Sequence, residues 1–234
     1  MNIETVKKLL YRHADKKQAK ILQRFFKTGT GEYAEGDIFL GIKVPVLRDL
    51  ANKLHDLPLS TTIKLLKSPI HEDRLLALFL LIWRYYKEDA EGKESIYRMY
   101  LAHTKYINNW DLVDVTAKHI VGAFLMDKDK APLYKLARSD SLWERRISIL
   151  STFYFIEHDK FKDTLKIAEI LVSDQHDLIH KAVGWMLREV GKRNVSSEEK
   201  FLKRYYRIMP RTMLRYAIER FPQSKRKAYL QGII

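Results

Sequence analysis

Helix starts recur along this chain at a nearly constant spacing. "HEDRLLALFLL" begins at residue 71, "NWDLVDVTAKHIVG" at 109, "LWERRISILSTF" at 142, "HDLIHKAVGWMLR" at 176 and "PRTMLRYAIERF" at 210, so successive starts are 38, 33, 34 and 34 residues apart. Each block opens on polar or charged residues and runs into apolar residues spaced three and four apart, the pattern of a helix with one buried face. Shorter helical patterns lie between the blocks, at 59–67, 94–103, 132–138, 163–173 and 197–208. A helix pair of this length cannot bury its apolar face alone and does so by stacking on the next pair.

The repeat therefore predicts an all-α fold, an α-solenoid of helical repeats that curves and presents one set of helices on a concave face. The period lies between the tetratricopeptide and HEAT lengths. The W…LG…Y pattern of the former is missing, so HEAT-like repeats are favoured. No linker interrupts the pattern, and a single domain is expected over residues 1–234. Pro45, Pro69, Pro132, Pro210 and Pro222 lie at or just before helix starts, where a missing N–H costs nothing. Ser141 with Glu144, and Ser196 with Glu199, have capping-box spacing. The glycine-rich stretch "TGTGEYAEGD", 28–37, is expected to be a solvated loop, since no GK[ST] follows to make a phosphate cradle.

Charge narrows the partner. Lys plus Arg number 43 and Asp plus Glu 29, a net charge of +14. An excess of this size calls for a polyanion, with nucleic acid first and an anionic membrane surface second. The longest apolar run, "LLALFLLIW" at 75–83, is too short to span a bilayer. With no membrane span and no secretion signal at the N-terminus, a cytoplasmic protein is expected. There is no cysteine, and the eight histidines form no metal-binding motif. Neither a metal nor a cofactor is expected, and no nucleophile elbow or phosphate-binding loop is present.

Helical spacing then selects the groove. Lys181, Trp185, Arg188 and Lys192 fall 4, 3 and 4 residues apart on one face, while Ile179, Val183, Met186, Leu187 and Val190 form the core face. An indole among three cations suits a flat or cationic group lying beside phosphates. In "NNWDLVD", 108–114, Asn108 or Asn109 can cap the helix and Asp111 sits in its first turn, as the helix dipole prefers. Asp114 shares a face with Trp110 but lies beyond that turn, and an ion pair with a neighbouring Arg or Lys accounts for it as well as a functional role does. Arg145 and Arg146 begin a helix where their charge opposes the dipole, which favours phosphate binding.

"NNWDLVD", "LWERRISIL" and "KAVGWMLREVGK", in this order, together with "DIFLGIKVPVLR" at 37–48, resemble the AlkD-like DNA alkylation repair proteins along essentially the whole chain. That family consists of HEAT-repeat DNA glycosylases removing cationic N3- and N7-alkylpurines. The resemblance implies that Asp114 is the essential carboxylate and that Trp110 and Trp185 contact the sugar. It also implies that Arg146, Arg188 and Lys192 hold the DNA backbone; Lys181, on the same stripe as Arg188 and Lys192 by spacing, is expected to bind DNA with them. Asn109 departs from members that carry a further aromatic before the W-D pair. The expected activity is that of a monofunctional glycosylase, a monomer acting on double-stranded DNA that contains alkylated purines. The alternative is a non-catalytic HEAT-repeat paralogue that recognises damaged or branched DNA.

Overall fold

The computed structural model describes residues 1–234. It is helical, with one isolated parallel bridge between Ile38 and Ile70 and no β-strand. The chain forms two compact units, Met1–Leu112 and Val113–Ile234. The boundary falls inside a continuous helix, with no linker there.

The first unit contains α1 (Ile3–Tyr11), α2 (Lys16–Phe25), α3 (Val44–Lys53), α4 (Leu59–Leu66), α5 (His71–Lys87) and α6 (Ala90–Ala102), and ends in the first turn of α7 (Trp110–Ala117). Helix α5 is its centre. The run Leu75–Leu81 is buried on every side because α3 and α4 pack against it, as expected of a helix apolar all round. Its start is unusual. His71, Glu72, Asp73 and Arg74 are all at most 3 % exposed. Glu72 receives the backbone N–H groups of Leu40, Gly41 and Ile42 at 2.8–3.1 Å, closing the end of the "DIFLGI" segment. Asp73 accepts from Ser68 Oγ at 2.6 Å and from the Tyr11 hydroxyl at 3.0 Å. Gly41 has φ +82°, and a Cβ there would lie 2.2 Å from the Asp15 carbonyl oxygen, so only glycine fits.

The second unit takes up α7 at Val113, passes through a π-turn at Lys118–Gly122 and a short α8 (Ala123–Leu125), and then runs as helix pairs. These are α9 (Ala131–Leu136) with α10 (Leu142–Glu157), α11 (Lys162–Ile170) with α12 (Asp177–Arg193), and α13 (Val195–Tyr205) with α14 (Arg211–Ala217), followed by α15 (Gln223–Gln231). The second helix of each pair begins within a residue of the repeat start read from the sequence. Helix α12 packs between α10 and α14 through Ile179, Val183, Met186, Leu187 and Val190, all wholly buried. Gly184 makes the α12–α14 approach possible: a Cβ there would sit 2.5 Å from the Met213 carbonyl oxygen. The Ser141 cap is present, with its side chain accepting from the Glu144 N–H. The Ser196 cap is not. Helix α13 starts two residues earlier, at Val195, and is capped by Asn194, which accepts from Ser197 N at 2.9 Å. Asparagine caps at least as well as serine, so the earlier position wins.

No helix is long and apolar enough to cross a membrane.

Candidate functional site

Within the second unit, Asp114 on α7 meets Arg146 on α10. The guanidinium donates from Nε to Oδ1 and from Nη2 to Oδ2, both at 2.8 Å, and from Nη1 to the Leu178 carbonyl at 2.5 Å. Arg146 is 5 % exposed and the Asp114 side chain 17 %. A two-pronged fork of this kind is the strongest geometry available to the pair. The ion pair considered for Asp114 from sequence is thus present, and its partner is the arginine expected to grip a phosphate. The fork and the Leu178 carbonyl take three of the five guanidinium N–H donors, and the burial of the side chain leaves little of Arg146 within reach of a phosphate. Its neighbour Arg145, also expected to face phosphate, donates to Asp174 at 2.7 Å and to the Ser139 and Asp140 carbonyls at 3.0 and 2.9 Å. Those acceptors answer for its position against the helix dipole.

The α12 stripe is on one face, as the spacing requires. Trp185 is half-buried, edge-on to Phe153 with ring centroids 5.7 Å apart, and its indole Nε1–H donates to Glu189 Oε1 at 3.0 Å. Each cation has a carboxylate: Lys181 with Asp177 at 2.6 Å, Lys192 with Glu189 at 2.7 Å, and Arg188 with Glu219. The two lysine side chains are each about 40 % exposed, so their ion pairs contribute little to stability and can be exchanged for phosphates at small cost. Glu189 was missed by the sequence reading. Its signal was available, since it follows Trp185 by four residues in "GWMLRE", one helical turn on.

Within the first unit, Trp110 is fixed from two directions. Its ring stacks on Phe26 (5.1 Å, 19°) and meets Phe25 edge-on at 5.9 Å, while Phe26 stacks on Phe39 at 4.9 Å. Asn109, wholly buried, accepts the Trp110 backbone N–H at 2.8 Å and donates to Asp37 at 3.3 Å. Asp111 accepts from His71 Nε2 at 2.8 Å, and Asp37 sits 2.9 Å from His71 Nδ1 and 2.7 Å from Arg74 Nη2. Burial alone would push the His71 pKa down. The carboxylates of Asp111 and Asp37 outweigh it and hold the pKa up at about 9, so both ring nitrogens donate at neutral pH. Burial likewise opposes ionisation of Asp37, but His71 and Arg74 keep its carboxyl below the usual range. Asp37 is the last residue of the 28–37 stretch, which is a run of turns whose end is thereby anchored in the interior. Trp110 and Asp114 are four residues apart on α7, which puts them on one helix face. No group of three or more His, Asp or Glu side chains is arranged to hold a metal ion.

The chain is a helical protein whose second unit is built from helix pairs, with a forked carboxylate and a basic stripe. The chain belongs to the DNA alkylation repair enzyme family, whose sequence profile matches residues 6–221. Solved structures agree on the fold. A "predicted DNA alkylation repair enzyme" from Enterococcus faecalis superposes with a TM-score of 0.69 at 17 % identity, over 90 % of this chain and 98 % of that one. AlkD2 from Streptococcus mutans does so with a TM-score of 0.53 at 18 % identity, over 94 % and 97 % of the two chains. No curated protein sequence matches the chain. Family membership places the chain in DNA alkylation repair, with DNA as the substrate.

Proposed function

We propose that this protein is a monofunctional DNA glycosylase, acting as a monomer, that hydrolyses the N-glycosidic bond of cationic N3- and N7-alkylpurines in duplex DNA. The observation that carries this reading is a partly exposed carboxylate, Asp114, held by the Arg146 fork one turn beyond Trp110. Departure of an alkylated purine leaves an oxocarbenium-like sugar. A preorganised carboxylate stabilises that developing charge and orients the attacking water. The fork takes one lone pair from each oxygen of Asp114 and fixes the plane of the carboxylate, and the water needs one lone pair more. In this reading Arg146 positions Asp114, while Trp110 and Trp185 offer indole faces to the cationic sugar. Lys181, Arg188 and Lys192 exchange their carboxylate partners for phosphates when DNA arrives.

A second reading has one observation in its favour. The Arg146 fork gives Asp114 a structural task, and that task serves equally a HEAT-repeat paralogue that binds damaged or branched DNA without cutting the bond. Release of free base from methylated duplex DNA separates the two. The glycosylase reading expects release by the wild type and its loss in Asp114→Asn. Absence of release from a protein that binds the same duplex establishes the second reading.

A further inference from the structure

Glu189 has more to hold than a surface glutamate on a basic helix would. Its side chain is only 12 % exposed, and Oε1 receives the Trp185 indole N–H at 3.0 Å together with the Lys192 ammonium at 2.7 Å. Arg188 Nε lies 3.8 Å away from the same oxygen. Lys192 is exposed, and its pair with Glu189 is worth little to the fold. The bond to the indole is different in kind, because it determines which way a large aromatic faces and what charge its face carries.

Two physical effects follow from an ionised acceptor on Nε1–H. The first is orientation: with Phe153 against one edge and the carboxylate on the N–H, the ring of Trp185 has one position on α12. The second is electronic. The attraction of an indole for a cation comes from the negative face of its π-system. A carboxylate accepting the N–H bond draws the proton outward and leaves more electron density on the ring, so that face becomes more negative. A charged acceptor does this more strongly than an amide, since its hydrogen bond is stronger. Trp185 is therefore tuned for a positive partner.

We propose that Glu189 is a positioning residue that sets both the orientation and the electron richness of the Trp185 face toward a cationic sugar. This rests on the glycosylase reading above, and it adds a residue to which that reading gives no role. Glu189 acts through the indole and does not touch the DNA.

The test uses the full chain and two duplexes. One carries a pyrrolidine abasic-site analogue, cationic where the oxocarbenium charge develops, and the other a neutral tetrahydrofuran abasic site. The wild type is expected to prefer the cationic duplex, as enzymes prefer mimics of their transition states. Glu189→Ala is expected to lower that preference roughly tenfold while affinity for the neutral duplex stays within about twofold, the scale of one cation–π contribution. Glu189→Gln keeps an acceptor on the indole and is expected to lose only part of the preference. The Trp185 indole N–H resonance, identified with Trp185→Phe, is expected to shift upfield in Glu189→Ala and to shift less in Glu189→Gln. A purely structural role would weaken both duplexes alike. An unshifted resonance, or an unchanged preference in Glu189→Ala, overturns the proposal while leaving the glycosylase reading in place. A wild type that does not distinguish the two duplexes overturns both.

Discussion

Arg146 and Asp114 are bound by two parallel hydrogen bonds of 2.8 Å, with the arginine 5 % exposed. The residue that the resemblance assigned to phosphate and the residue it assigned to chemistry are thus forked to each other. Opening the pair by removing the arginine leaves a carboxylate without its counter-charge. Arg146→Ala is expected to destabilise the second unit by about 3 kcal/mol or more, measured by urea denaturation. Arg146→Lys is expected to recover only part of this, because an ammonium cannot reproduce the fork. A stability change below about 0.5 kcal/mol, the range of ordinary surface substitutions, is incompatible with the observed pairing.

Asp114→Asn keeps the shape of the side chain but sets an NH2 group against one prong of the fork. It is expected to cost some stability and to reduce single-turnover base release by about 10²–10³-fold, the usual effect of removing one preorganised electrostatic group. Duplex affinity is expected to hold or to rise slightly, since a negative charge near phosphates has been removed. If release survives within a few-fold, Asp114 is a structural residue only.

The salt dependence of duplex binding should separate the basic residues into two groups. Lys181→Ala and Lys192→Ala each remove an exposed cation, and each is expected to lower the slope of log K against log salt by about 0.9. Arg146→Ala is expected to change that slope less than either lysine, because its guanidinium is committed to Asp114 and Leu178. A full unit lost at Arg146 would mean that the fork opens on DNA.

Alkaline pH is expected to weaken the fold through two buried groups. Glu198 is 2 % exposed, and burial, aided by Glu199, raises its pKa from 4.5 to about 8. Between those values the folded chain keeps a proton that the unfolded chain has released, so stability falls as pH rises from about 4.5 through 8. His71 acts with the same sign over a higher window: its imidazolium survives in the fold to about 9 but in the unfolded chain only to 6.5. Thermal melts across this range are expected to show a falling Tm in the wild type and a flatter profile in Glu198→Gln. An identical slope in the two proteins would place the proton elsewhere.

Lesion charge is expected to govern the substrate range. A neutral purine needs protonation as it leaves, which requires a positioned general acid. An N3- or N7-alkylpurine leaves as a neutral base and needs none. Asp114 must be ionised to stabilise a cationic sugar and cannot also be that acid. In single-turnover comparisons, 3-methyladenine and 7-methylguanine are expected to be released, with hypoxanthine, uracil and 1,N6-ethenoadenine left in place. Rapid hypoxanthine release would disprove the charge-based mechanism.

The helix pairs were legible in the sequence because stacking leaves a repeated apolar period, and five helix starts fall within one residue of those read from it. The core face of α12 was legible for the same reason. What periodicity cannot register is a polar residue that is buried. "HEDR" at 71–74 reads as a solvated helix start, yet all four side chains are interior, each held by partners distant in sequence. Arg145 and Arg146 read as unpaired cations because Asp174 and Asp114 are each about thirty residues away. Glu189 lies one helical turn beyond Trp185, so its bond to the indole has a local signal in the sequence.

Asp37, His71, Arg74 and Asp111 form a buried set of two negative and two positive charges, joined across 34 and 40 residues of chain. Its charges balance one against one, Asp37 with Arg74 and Asp111 with His71. Any single replacement that changes charge strands a partner in the interior, so the segments around 37, 71 and 111 can be exchanged between relatives only together. For engineering, this makes "DIFLGI", "HEDR" and the start of α7 one transplantable cassette, and a chimaera that divides them is expected to lose Trp110's anchor before it loses any helix.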